Sequence, residues 1–292
     1  MRALLLISIL PAYLLGNYVY NHDKVEKEPK SLLTKLFVFG IISIIITIII
    51  SKVMELLFPF FEENHEDIIG MLIDNFIGVA LVEEGSKWIM LRLGSWNDKN
   101  FDYQYDGMIY AVFVSLGFAT VENFLYVMQH GFVTGILRAI VSVPGHCFFG
   151  VFMGYYYGLA KKADLKGEKS SVPGYLFLSI LIPVILHGTF DAALSAASIF
   201  NDDTSMMVIL GLYILFVIFL YIVSFRKIRQ LSEIKTNIYD VLTREIPVVT
   251  NNQEAPMVNI PSNNLKTVYC SQCGNKVFGK FCSNCGARTI IE

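Results

Sequence analysis

Long apolar runs separated by short charged clusters dominate the chain up to about residue 225. A helix needs ~20 apolar residues to cross the ~30 Å hydrocarbon core of a bilayer, and about seven stretches meet that length. They lie near residues 3–20, 35–60, 67–93, 105–129, 132–160, 173–200 and 205–225. The pattern predicts an all-α polytopic membrane protein. The first stretch is expected to be an uncleaved span, because no small-residue cleavage site follows it.

Lysine and arginine concentrate in every second loop of this pattern. The basic loops carry them between residues 24 and 35, at 99, between 161 and 169 and between 226 and 229, whereas loops 61–67, 129–131 and 201–205 carry neither. Basic loops stay on the cytoplasmic side. We therefore expect a multi-pass protein of the cell membrane with its N-terminus outside and its C-terminus in the cytoplasm.

Composition supports the membrane assignment. Of the 292 residues, 54% are hydrophobic and 16% are charged, with a mean hydropathy of +0.53; an average soluble domain has about 25% charged residues. A net charge of -2 offers no basic surface, so no nucleic-acid partner is expected.

The apolar periodicity stops near the end of the last span, which divides the chain into three predicted parts. Residues 1–228 form the transmembrane domain, residues 229–266 a flexible linker rich in Asn, Pro, Thr and Ser, and residues 267–288 a small module.

The module contains two Cys-x-x-Cys-Gly sequences, whose four thiolates can surround one structural zinc. These ligands are Cys270, Cys273, Cys282 and Cys285. Two disulfides are the alternative, but disulfides are rare in the cytoplasm, where the charge pattern puts this tail. The module resembles the zinc ribbons at the ends of many microbial membrane proteins, so the sequence predicts a cytoplasmic zinc ribbon. The fifth cysteine, Cys147, lies within a span and is expected to be a buried packing residue.

Ionisable residues inside the spans are the chemically informative part of the sequence, because each costs several kcal/mol in a bilayer and marks a functional site by default. They are Glu83, Glu84 and Lys87 in the third span, Glu122 beside Asn123 in the fourth, Arg138 and His146 in the fifth, and His187 and Asp191 in the sixth. At 1.5 Å per residue, the acidic groups and histidines lie ~12–24 Å below the outer surface, so four helices deliver them to one layer.

Each of these residues also has a structural interpretation. Glu83 and Glu84 could be solvated at a helix end, a single histidine could only link helices, and Arg138 could be a counter-charge or extend outward. Carboxylates and two histidines on facing helices are, however, what metal binding or water activation requires. His187 and Asp191, four residues apart, share one helix face.

Four motifs in order, each in a predicted span, resemble the PrsW family of intramembrane proteases, which is distantly similar to the CAAX prenyl endopeptidases. They are Glu83-Glu84-x-x-Lys87; Asp106-Gly107-x-x-Tyr110 leading to Gly117-Phe118-Ala119-x-x-Glu122-Asn123; Arg138 through Pro144-x-His146-x-x-x-Gly150; and His187-x-x-x-Asp191. The resemblance covers roughly residues 80–195. It implies hydrolysis of a peptide bond in a membrane-anchored substrate, such as an anti-sigma factor, and leaves open whether a catalytic metal takes part.

These residues suggest a mechanism with the following expected roles. Glu83 or Glu84 activates water, and His146 and His187 bind that water directly or through a divalent metal, of which zinc is the first candidate. Asp191 orients His187. Asn123 is the candidate oxyanion donor, and Glu122 is a further ligand or acid. A polar cavity that widens toward the outer surface is expected, because Glu122 and Asp191 lie closest to it.

A proton- or ion-coupled transporter is the alternative function, because its relay of Glu, His and Asp would also lie near the midplane of the bilayer. The sequence has no clear internal repeat of the kind that such transporters often show. We therefore prefer the protease.

The predicted topology can be tested with reporter fusions at Asn64 and Lys166. We expect the reporter at Asn64 outside and the one at Lys166 in the cytoplasm, because only the loop that contains Lys166 is basic. Labelling of both positions from the same side would contradict the assignment.

Overall fold

The computed structural model describes residues 2–62, 67–200, 202–234, 268–269 and 276–277. The chain divides into two compact units, Met1–Ile246 and Pro247–Glu292. The described α-helices are α1 (Arg2–His22), α2 (Lys30–Leu57), α3 (Ile68–Ile73), α4 (Val82–Ser95), α5 (Gln104–His130), α6 (Phe132–Ile140), α7 (Ser142–Lys166), α8 (Val172–Ile199) and α9 (Asp203–Ser232). A π-helix, Asp74–Leu81, joins α3 to α4, and a short 3-10 helix, Pro59–Glu62, follows α2.

In the first unit the described residues form helices and connecting loops without a strand, as the hydrophobic pattern predicts. Within the described residues, five segments are long and apolar enough to cross a membrane: Lys30–Leu57, Gln104–His130, Phe132–Lys166, Val172–Ala196 and Asp203–Ser232. A multi-pass membrane protein is thereby supported. The count of seven spans stays a prediction, because α1 and the helix from Ile68 to Ser95 are not among the five.

The fifth predicted span is interrupted at Val141, which separates α6 from α7. Pro144 explains the break: it has no N–H for the carbonyl of Ile140, and its ring would clash with that carbonyl in a continuous helix. The hydroxyl of Tyr221 on α9 donates to this carbonyl instead, at 2.6 Å. The short α6 is therefore a helix separate from α7.

The last helix is longer than the sequence pattern predicts. Residues 229–232, which we assigned to the linker, belong to α9. Arg226 and Arg229 lie near its C-terminal end, where positive side chains interact favourably with the helix dipole.

Close helix contacts at glycines hold the centre of the bundle together. A Cβ atom on Gly117 of α5 would overlap the carbonyl oxygen of Phe37 on α2, and one on Gly40 of α2 would overlap that of Val114. Gly154 of α7 lies equally close to Gly107 of α5. Small residues allow such close backbone approach in membrane bundles. Helix α5 is consequently the buried centre of the fold, with 72% of its most apolar stretch enclosed.

Helices α2 and α9 form much of the apolar exterior. Only 11% of the apolar stretch of α9 is buried, and large side chains such as Met207, Leu212 and Leu215 are exposed along it. In water such a surface would favour association. An apolar surface of this kind is stable in contact with the lipid of a bilayer.

One end of the bundle collects the basic loops, and we call it the basic end. There Lys35 donates to the carbonyl of Gly94 at 2.9 Å, and Lys161 donates to that of Trp96 at 2.8 Å. The hydroxyl of Tyr110 donates to buried Glu28 at 2.7 Å, which attaches the loop between α1 and α2 to α5. The helix ends at Leu57, His130 and Ile199 lie at the opposite end.

In the second unit the structure describes two short antiparallel strands, β1 (Val268–Tyr269) and β2 (Lys276–Val277). The strands flank the first predicted cysteine pair in sequence. Cys270, Cys273, Cys282 and Cys285 lie outside the described residues.

The close approach of α2 and α5 predicts opposite effects for two glycine substitutions. We expect Gly117→Ala to lower the thermal unfolding midpoint, because overpacking costs about 1–3 kcal/mol. Gly211→Ala on α9 is the matched control, since a Cβ atom there meets nothing within 4 Å and alanine favours the helix by ~1 kcal/mol. An unfolding midpoint for Gly117→Ala that equals that of the control would contradict this account of the packing.

Candidate active site

The structure brings the ionisable residues of four helices into one cluster. Helix α4 supplies Glu83, Glu84 and Lys87, α5 supplies Glu122, α7 supplies His146, and α8 supplies His187 and Asp191. The rings of His146 and His187 lie 5.2 Å apart, centroid to centroid, and almost perpendicular. The prediction that these side chains converge is therefore met in the structure.

The ammonium group of Lys87 lies at the centre of the cluster and is completely buried. Its Nζ donates to Glu84 Oε1 at 2.8 Å and to Glu83 Oε2 at 3.3 Å, and it lies 3.1 Å from His146 Nδ1. It also packs on the ring of Phe118, 3.9 Å from the centroid. Lys87 thus neutralises one carboxylate and links α4 to α5 and α7.

The partners of His146 define its tautomer. An ammonium group can only donate, so Nδ1 accepts from Lys87 and the proton lies on Nε2. That nitrogen is 2.7 Å from Glu122 Oε2 and donates to it. Neither nitrogen of His146 is free.

His187 lies between two carboxylates. Its Nδ1 is 2.9 Å from Glu84 Oε1, and its Nε2 is 3.1 Å from Asp191 Oδ2. With both carboxylates ionised, both nitrogens donate and the ring carries both protons. Phe149 stacks on the ring at 4.9 Å, which fixes its orientation. The expected orienting role of Asp191 agrees with this geometry.

Glu122 also forms an ion pair with Arg138 of α6. Nη2 of Arg138 is 2.8 Å from the same Oε2 atom that accepts from His146. The guanidinium lies over the ring of Tyr126, with Cζ 3.8 Å from the ring centroid. Of the two structural interpretations of Arg138, the counter-charge is the one that the geometry supports, and the side chain does not extend outward.

A cavity of about 350 Å³ adjoins the cluster. Its polar lining includes Asn75, Glu83, Glu122, Tyr126, Arg138, Ser142, His146, His187, Asp191 and Ser195, and its apolar lining is Val79, Phe149, Phe190 and Leu194. Asn75 and Val79 lie on the π-helix, and Tyr126 and Ser195 lie near the helix ends at His130 and Ile199. The cavity therefore occupies the half of the bundle opposite the basic end.

Two predicted site residues do not line this cavity. Glu84 is fully buried behind it, between Lys87 and His187. Asn123 is also fully buried, and its amide donates to the carbonyl of Ile7 on α1 at 3.3 Å. Asn123 follows Glu122 directly, and neighbouring helical residues point ~100° apart, so only one of the two can face the cavity. The assignment of Asn123 as oxyanion donor is withdrawn for this reason.

Four residues form a candidate metal-binding group, because one donor atom from each of Glu83, Glu84, His146 and His187 lies within 4.8 Å of the others. These residue types suit zinc. The arrangement does not, because the Lys87 ammonium contacts three of the four residues. All four imidazole nitrogens also face other partners. A metal ion would need their lone pairs, and it would have to displace Lys87.

Sequence reasoning missed two residues of this site. Lys87 was interpreted only as a partner of Glu83, although its spacing from both glutamates puts all three on adjoining faces of α4. From the sequence, Arg138 received only structural interpretations, as a counter-charge or as a side chain that extends outward. Pro144 was the available signal for the interruption at Val141, which ends the short helix that carries Arg138.

The residues of this site lie within a region that matches a known protein family. The sequence profile described as "PrsW family intramembrane metalloprotease" matches residues 28–223. The chain is 34% identical to "Protease PrsW" of Bacillus subtilis over 198 residues, 68% of this chain and 85% of that protein. It is also 34% identical to "Protease PrsW" of Geobacillus kaustophilus over 232 residues, 79% of this chain and 92% of the relative.

No solved structure matches this chain. The matches to proteases give no support to the alternative of an ion-coupled transporter.

Proposed function

We propose that this chain, which belongs to the PrsW family of intramembrane proteases, cuts a membrane-anchored protein near the outer boundary of the bilayer, using water activated by Glu83. The observation that carries the proposal is the cavity that Glu83 lines together with Glu122, His146, His187 and Asp191. A peptide bond and a water molecule need such a polar space, because the lipid core offers none.

Glu83 suits the role of general base better than Glu84. The two are adjacent, so they point in different directions from α4. The Glu83 side chain is 12% exposed and lines the cavity, whereas that of Glu84 is enclosed and accepts from both Lys87 and His187. The ammonium group of Lys87 lies closer to Glu84 than to Glu83. Glu83 is therefore the carboxylate that is better able to accept a proton from water.

In this scheme Glu83 carries out both proton transfers of the reaction. Glu83 takes a proton from water, the water oxygen bonds to the scissile carbonyl carbon, and the carbonyl electron pair moves to oxygen. When the C–N bond breaks, the departing nitrogen takes the proton from Glu83. The products are a new carboxyl group and a new amine.

The histidines have supporting roles in this scheme. Nε2 of His187 donates to Asp191 at 3.1 Å and lies 3.9 Å from Glu83, so the protonated ring puts positive charge beside both carboxylates. His146 holds Glu122 through one nitrogen and Lys87 through the other. Both rings thereby stabilise negative charge around the reacting groups without a metal ion, and no step is assigned to one.

The side of cleavage follows from where the cavity lies. It occupies the half of the bundle opposite the basic end, and the positive-inside rule assigns the basic end to the cytoplasm. A substrate helix frays at the outer boundary, where its carbonyl groups become accessible.

Several finer features belong to the same proposal. Seven spans would set the N-terminus outside the cell membrane and the C-terminus in the cytoplasm. Residues 229–266 would act as a linker, shortened at its start by α9, and residues 267–288 as a structural zinc ribbon. A membrane-anchored regulator of the anti-sigma-factor kind is the proposed substrate class.

Cleavage of a panel of single-pass membrane proteins, reconstituted with the protease in liposomes, tests the function. We expect Glu83→Gln to slow cleavage about 100-fold or more, since that is the usual contribution of a general base. The thermal unfolding midpoint should change little, because Lys87 keeps Glu84 as a partner. The matched control is Glu55→Gln, which removes a carboxylate that is paired with Lys52 on the exposed face of α2.

Mass spectrometry of the products locates the cut. Products cut in the cytoplasmic third of the substrate helix would contradict the proposed side of cleavage. Cleavage of no panel member by the wild-type protein would overturn the proposed substrate class.

Metal removal tests both parts of the metal assignment. The full chain should contain one equivalent of zinc, held by four cysteines, and a chain truncated after Ile260 should contain none. We expect the truncated protein to cleave as fast as the full chain, with or without a chelator, because Lys87 already supplies the positive charge among the candidate ligands. Chelator-sensitive cleavage that zinc restores would contradict the metal-free mechanism.

A further inference from the structure

Peptide hydrolysis has one further requirement, which the residues discussed so far do not fulfil. Negative charge develops on the scissile carbonyl oxygen, and a protease stabilises it with hydrogen-bond donors that are already in position. Asn123 cannot serve, because it is buried against α1. The donor must be found among the residues that line the cavity.

Most donors in the cavity lining are already engaged. His146 donates to Glu122, and His187 faces Glu84 and Asp191. The amide of Asn75 donates to the carbonyl of Met71, and Ser195 donates to Asn75. Among the described lining residues, this leaves Arg138, Ser142 and Tyr126.

Arg138 differs from the other two in charge and in how firmly it is held. Its guanidinium is fixed by the ion pair with Glu122 and by the face of Tyr126. Its Nη2 pairs with Glu122 Oε2 at 2.8 Å, and its buried Nε has no hydrogen-bond partner among the described residues. A guanidinium has five N–H donors, so an unused hydrogen-bonding group lies against the cavity.

The position of Arg138 relative to the reacting groups also fits. Glu122 Oε2 contacts both Arg138 Nη2, at 2.8 Å, and His146 Nε2, at 2.7 Å. The guanidinium is therefore next to His146, in the same cavity as Glu83. A carbonyl group bound between them could have its carbon near Glu83 and its oxygen near Arg138.

We propose that Arg138 is a catalytic residue, which donates an Nη–H hydrogen bond to the scissile carbonyl oxygen and stabilises the oxyanion. As the activated water oxygen bonds to the carbonyl carbon, the carbonyl electron pair moves to oxygen, opposite the fixed positive charge. When the C–N bond breaks, the pair returns to re-form the carbonyl. Arg138 itself neither gains nor loses a proton.

Glu122 has a defined part in this arrangement. A free arginine side chain is long and flexible, and binding the oxyanion in one geometry would cost it conformational entropy. The ion pair with Glu122 and the contact with Tyr126 already hold the side chain in place before the substrate binds. Little further entropy is then lost when the oxyanion is bound. Glu122 is therefore a positioning residue.

The inference rests on the proposed protease function, so it is tested with the panel protein that the wild type cleaves fastest. We expect Arg138→Gln to lower kcat about 100- to 1000-fold, the usual effect of losing one oxyanion donor, with little change in KM. Arg92→Gln is the matched control, because the Arg92 guanidinium also lies on an aromatic ring, that of Trp96, but lines no part of the cavity. Wild-type kcat in Arg138→Gln would overturn the role of Arg138 and leave the protease assignment intact.

A second set of variants separates oxyanion binding from simple charge balance. If Arg138 only neutralised Glu122, the double variant Glu122→Gln/Arg138→Gln would recover cleavage; if it binds the oxyanion, the double variant stays slow. Recovery would overturn the proposal.

Added methylguanidine should raise kcat of Arg138→Gly but not of Arg92→Gly. If Arg138→Gln does not fold, Arg138→Lys takes its place: lowered kcat at unchanged KM supports the proposal, and wild-type kcat contradicts it.

Discussion

The buried ammonium group of Lys87 is the interaction on which the rest of this structure depends. Four carboxylates cluster inside the transmembrane domain, and isolated charges there would be far too costly. Lys87 contacts two of the carboxylates and the imidazole of His146, and it lies on Phe118. Removing the ammonium group would leave buried carboxylates without a counter-charge, and such a loss costs about 3–5 kcal/mol.

The same network makes the two adjacent glutamates different. Glu84 lies behind the cavity with Lys87 and His187, whereas Glu83 meets the cavity. Glu83 is therefore the proposed general base, and Glu84 balances the charge of Lys87 and His187. This division explains how neighbouring residues of identical type can have separate roles.

Departures from regular helix border the cavity on two sides. The π-helix Asp74–Leu81 supplies Asn75 and Val79, and the break at Val141 lets α6 carry Arg138 to Glu122. Such departures are frequent at functional sites, because a regular helix offers few ways to redirect a side chain. Regular helices with glycine contacts, in contrast, keep α2, α5 and α7 close together and rigid.

The sequence by itself determined the helical class, the apolar stretches and the residues of the cluster, because hydrophobic length and a charge inside a span are local properties. The sequence was also enough to place His146, His187 and Asp191 in one layer of the bundle, because depth in the bilayer follows from position along each helix. Only the tertiary structure decided that Glu83 rather than Glu84 faces the cavity, that Asn123 points to α1, and that Arg138 pairs with Glu122. These outcomes depend on how each helix is rotated about its axis, which is set by packing between residues far apart in the chain.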